Sequence, residues 1–166
     1  MMKKRPLPSD KPHPVLSPTL DALLGQLRLL IQEARQQVLH AADLVHVRTG
    51  WEIGRHIVEF EQAGAERAEY GEKSISRLAE SLTAEFGKGF DARNLRNMRA
   101  FYLLFPIWNA LRTELSWTHY RTLLRVESES ARCWYMHEAA EQNRSTRALD
   151  RQIGTLYYER LLASPD

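Results

Sequence analysis

Between Leu23 and Val45 apolar residues return at separations of three and four, through Leu24, Leu27, Leu30, Ile31, Ala34, Val38, Ala41 and Ala42. That spacing lays a stripe along one face of an α-helix and does not fit the two-residue alternation of a strand. The pattern runs on through Ile53, Ile57, Val58 and Phe60, while Gly50 and Gly54 weaken the helical preference. It predicts one long helix, or a pair broken near the glycines. No strong β alternation follows it, so the expected fold class is all-α, a compact multi-helix domain.

The remaining helices announce themselves by their caps. Ser74, Ile75, Leu78, Leu82 and Phe86 form an amphipathic segment that ends at Gly87 and Gly89, residues suited to a tight link. Asp91 then caps a helix by accepting from the backbone of Arg93 or Asn94, with Leu95, Met98, Tyr102 and Phe105 as its apolar face and Pro106 as its stop. Ser116 starts a further segment, and Ser128 or Ser130 the next. Ser145 or Thr146 starts a last helix carrying Leu149, Ile153, Leu156, Tyr157 and Leu161 on one side. No internal repeat stands out, and no coiled coil is sustained over several clean heptads.

Five prolines between Pro6 and Pro18 leave little that can pack, so residues 1–20 are expected to be a flexible Pro-rich leader before a helical domain at 21–166. A chain of 166 residues supports one main core. Cys133, the one cysteine, has no partner for an internal disulfide and fits a reducing, cytoplasmic setting. No apolar run reaches bilayer-spanning length, so no membrane association is expected. The net charge of +2 is too small to mark a nucleic-acid binder by itself, which leaves local clustering to carry any such case.

Such a cluster lies between Phe86 and Tyr102, where Lys88, Arg93, Arg96 and Arg99 face Asp91 as the one acidic residue. At helical spacing Arg93, Arg96, Asn97 and Ala100 share a face opposite Leu95, Met98 and Tyr102. With the preceding helix and its glycine turn, this suggests a helix-turn-helix-like unit that presents Lys88, Arg93, Arg96, Asn97 and Arg99 to duplex DNA. An ordinary solvated face, tied up in ion pairs, is the competing reading. His119, in Leu115-Ser116-Trp117-Thr118-His119-Tyr120, is a further candidate phosphate contact. Trp51, Trp117, Tyr120 and Trp134 are candidate interface residues for protein interaction or homodimerisation, and Trp117 and Tyr120 serve equally well as core.

Catalytic, cofactor and metal sites are not expected. Glu59, Glu61, Glu66, Glu69 and Glu72 lack a strand context that would converge them on a metal, and no Walker, dinucleotide or paired-histidine motif is present.

Trp51-Glu52-Ile53-Gly54, Tyr70-Gly71, Gly87-Lys88-Gly89-Phe90, Asn94-Leu95, Met98, Phe101-Tyr102 and the string from Leu115 to Tyr120 resemble the N-terminal domain of the YhcG family. The likeness continues through Leu123-Leu124, Arg132, Tyr135, Arg151-Gln152-Ile153 and Tyr158-Glu159-Arg160. Gly50, where tyrosine commonly precedes Trp51, and Arg144, where tryptophan commonly precedes the Ser145 cap, depart from the pattern. The resemblance implies an all-helical, DNA-binding module associated with a nuclease. Longer members carry a PD-(D/E)XK nuclease-like domain after it, in which case that domain serves as partner in cis or in trans. No Glu-x-Lys string of such a domain occurs here.

Overall fold

The structure, a computed structural model, describes residues 19–64 and 71–164. The leader at 1–18, and Glu66 and Glu69 of the acidic run, lie outside the described residues, as does the side chain of Glu72. Among the described residues there are seven α-helices, one short 3-10 turn and no strand: α1 (Leu20–Ala63), α2 (Gly71–Phe86), α3 (Ala92–Leu104), a 3-10 turn at Trp108–Ala110, α4 (Trp117–Leu123), α5 (Glu129–Glu141), α6 (Thr146–Gly154) and α7 (Tyr157–Ala163).

The chain divides into two compact units, one up to Gln37 and one from Val38 onward. In the first, Thr19 Oγ1 accepts from the amide of Ala22 at 3.2 Å, which satisfies one of the unpaired donors at the start of α1. The side chains that follow are exposed. α1 is one helix, with no break at Gly50 or Gly54.

The second unit owes its cohesion to an aromatic centre. Phe101, Trp117 and Tyr120 are buried, with the Phe101 ring centroid 5.3 Å from Trp117 and 4.8 Å from Tyr120. Phe105 closes the group at 5.7 Å from both Phe101 and Tyr120. Aromatic contacts of this kind add about 0.5–1.5 kcal/mol each beyond the area they bury. Leu95, Leu123 and Leu149 complete the interior with no exposed surface. Arg132 is buried too: its guanidinium lies 5.7 Å from the Phe105 centroid, and Nη1 donates to the carbonyls of Val126 and Glu127 at 2.8 and 3.3 Å. These bonds and the ring contact offset part of the cost of burying the charge, while Nε is buried without a hydrogen-bond partner among the described residues.

Glycine allows α1 to reach α3. A Cβ at Gly54 would stand 2.0 Å from the Met98 carbonyl oxygen, so the two backbones meet there at a distance only glycine permits. Gly50, one turn earlier, is looser: its Cβ would meet Trp117 and Met98 at 3.6 and 3.7 Å, ordinary van der Waals contact. Trp51 is firmly seated, donating from Nε1 to the Phe105 carbonyl at 2.7 Å.

The helix expected after Ser145 is two helices. Leu156 takes a left-handed conformation at φ 51°, which ends α6 and sets α7 off in a new direction. Two hydroxyls fix the result. Tyr135 donates to Glu159 at 3.0 Å while accepting from the Tyr158 amide at 3.1 Å, and the Ser145 side chain caps α6.

Candidate nucleic-acid interface

α2 and α3 pack on each other and are joined by a short turn in which Gly87 and Gly89 have φ of +82° and +108°. These are backbone conformations that residues with a Cβ avoid. Asp91 caps α3 by accepting from the Asn94 amide at 3.0 Å. The Asn94 side chain links the turn to the interior, donating through Nδ2 to the Gly89 carbonyl and accepting from Trp117 Nε1 at 3.2 Å. No local spacing in the sequence marks Asn94 for this role, which depends on Trp117, 23 residues away in the chain.

Leu95, Met98 and Phe101 bury one side of α3. On the other side Arg93 and Arg96 are exposed and Asn97 and Ala100 are half-buried, while Lys88 is exposed in the turn. Neither Lys88 nor Arg93 is held in an ion pair among the described residues. Arg99 is placed differently: its Nε donates to both carboxylate oxygens of Glu61 on α1, at 2.7 and 3.0 Å. Its charge is largely spent inside the fold, and Glu61, which belongs to the acidic run in the sequence, is drawn into an interhelical pair. Glu59, from the same run, pairs with Arg55 at 3.0 Å.

His119 sits in the cap of α4. Ser116 accepts from the His119 amide at 3.4 Å, and the imidazole Nδ1 accepts from the Ser116 amide at 3.1 Å. Nε2 lies 2.8 Å from the Arg144 carbonyl, an acceptor, so the proton belongs on Nε2. Both ring nitrogens are thereby engaged within the chain. The Arg144 guanidinium in turn pairs with Glu138 at 2.7 Å. Of the aromatic candidates, Trp51, Trp117 and Tyr120 are buried in the core; Trp134 is half-buried and lies against Tyr157 and Tyr158 at 5.8 and 5.4 Å.

Among the described residues no three His, Cys, Asp or Glu side chains gather so as to hold a metal ion, and no helix is long and apolar enough to cross a membrane. Among the described residues the arrangement is an all-α module with Arg93 and Arg96 exposed on one face of α3. By sequence, the chain belongs to the DUF1016 N-terminal domain family, whose profile matches residues 26–160. It is also 36% identical, over 169 aligned residues, to the protein of Escherichia coli (strain K12) named "Putative nuclease YhcG". That alignment covers 82% of this chain and 45% of the relative, so the chain spans about half the length of the protein it matches. No solved structure matches it significantly.

Proposed function

We propose that the chain is a DNA-binding, targeting module that works with a nuclease activity lodged elsewhere, and that it performs no catalysis itself. The observation that carries this reading is the exposed polar face of α3. Arg93 and Arg96 stand there on the side away from Leu95, Met98 and Phe101, and Lys88 is exposed in the glycine turn that joins α3 to its packed neighbour α2. This is a helix-turn-helix-like placement, with cations at the surface to meet phosphates and Asn97 within the same face for base edges. Arg99 and His119 serve as positioning residues in this reading, the one through Glu61 and the other through Ser116 and Arg144. The nuclease partner is suggested by the name of the Escherichia coli relative, which is more than twice as long as the matched region. A reducing cytoplasm suits the single Cys133.

Fluorescence anisotropy with a labelled duplex, repeated over a range of salt concentrations, tests the proposal. Binding should weaken as salt rises, and replacing Lys88, Arg93 and Arg96 together with alanine should flatten the log–log slope by about 0.9 for each phosphate left without its cation. An unchanged slope and affinity in that triple variant would reject the α3 face.

A further inference from the structure

The N-terminal part of α1 carries an apolar face that is exposed among the described residues. From Leu20 to Asp43 every residue is exposed except Gly25, which is intermediate. Leu20 is 80% exposed, Leu30 61% and Val38 69%. A helix gains most of its stability by burying such a face, and a contiguous apolar stripe of this length marks an interaction surface.

Part of the exposed apolar set repeats every seven residues. Leu24, Ile31, Val38 and Val45 stand seven residues apart, and all four are exposed. A second set, Leu20, Leu27, Ala34 and Ala41, is offset from the first by alternating steps of four and three. Leu23, Leu29, Leu30 and Leu39 are exposed as well and lie off these two sets, which hides the repeat in the sequence, so the heptads become evident only once the helix is seen to be continuous. A repeat of seven gives the 3.5-residue period of a left-handed coiled coil.

We propose that this face is closed by a second copy of the chain, in a parallel two-stranded coiled coil. Composition favours two strands, because three of the four positions of one kind, Ile31, Val38 and Val45, are β-branched, while the other kind carries Leu20 and Leu27 with Ala34 and Ala41. Charge favours the parallel direction. In parallel, Arg28 and Arg35 lie across from Leu23 and Leu30 of the second copy, where their aliphatic stems cover leucine and their charged heads reach water. In an antiparallel pair with Ile31 opposite Ala34, Arg28 would instead face Arg35 of the other copy, which is repulsive. The area suffices for a reversible dimer: a seam from Leu20 to Val45 is ~39 Å long and ~12 Å wide. Two such faces bury ~900 Å² in projection, and more with interdigitation, close to the ~1,000 Å² expected of a specific interface.

This assignment stands apart from the DNA reading, since its test needs no nucleic acid. Sedimentation equilibrium of residues 1–166, from micromolar to millimolar concentration, should show a monomer–dimer equilibrium. Ile31→Asp should raise its dissociation constant by roughly 100-fold or more, because a carboxylate would be buried unpaired at the seam. Leu29→Asp, an exposed substitution off the seam, should leave it unchanged. In a Cys133→Ser background, Leu20→Cys should cross-link to itself on oxidation. Monomer at every concentration, a dimer indifferent to Ile31→Asp, or equal weakening by Leu29→Asp would each overturn the seam. Preferential cross-linking of Leu20→Cys to Val45→Cys would overturn the parallel arrangement.

Discussion

Gly50 and Gly54 are one helical turn apart on the same face of α1, yet an added methyl group should act on them in opposite directions. At Gly54 the new carbon would fall 2.0 Å from the Met98 carbonyl oxygen and 3.1 Å from Tyr102 Cβ, and the first of these is backbone that cannot swing aside. Gly54→Ala should therefore destabilise the fold by about 1–3 kcal/mol through overpacking. The preference of helices for alanine, worth about 1 kcal/mol, offsets only part of that. Gly50→Ala meets nothing closer than 3.6 Å and should be neutral or stabilising, by up to about 1 kcal/mol. Paired urea melts of the two variants check this, and equal effects would show that the close approach at Gly54 is not a constraint.

Between elements, tyrosine hydroxyls act as fasteners. The Tyr120 hydroxyl donates to the Arg112 carbonyl and accepts from the Arg112 amide, both at 2.8 Å, binding the segment before α4 to that helix. Tyr135 does the same between α5 and the start of α7. Burial pushes both phenols above the ordinary tyrosine range. The sign follows from proton linkage. With the folded pKa above the unfolded value near 10, their contribution is fully present below about pH 10 and is lost as pH rises from there through the folded pKa. Denaturant melts should show stability falling above about pH 10, with a shallower fall in Tyr120→Phe, and a fall of equal steepness in that variant would show that Tyr120 is not responsible. The elements themselves are largely legible in the sequence, because Asp91, Ser116, Ser128 and Ser145 are local signals and each accepts the capping bond its side chain suggests. The break at Leu156 is not legible. A leucine in a left-handed conformation has no local signature, and the turn is held by the hydrogen bonds of Tyr135 to α7.

Across the whole molecule, packing is easier to read from the sequence than function. Apolar periodicity picks out Leu95, Met98 and Leu149 as interior, and all three are buried. The basic cluster looks uniform in the sequence, whereas Arg99 is spent on Glu61, a residue 38 positions away whose proximity no local pattern encodes. The first half of α1 looks in sequence like an ordinary core stripe, because periodicity reports a face and not what covers it. That part of α1 also makes amide protection depend on how much protein is in the tube. In hydrogen–deuterium exchange at low concentration, amides from about Leu24 to Ala41 should exchange through local opening alone, while those around Ile57 and Leu95 wait for unfolding of the core. As concentration rises the first group should slow and the second should not, by mass action on the paired form. Uniform protection at every dilution would contradict this. An exchange map of this chain therefore also measures its association, written into the backbone of one helix.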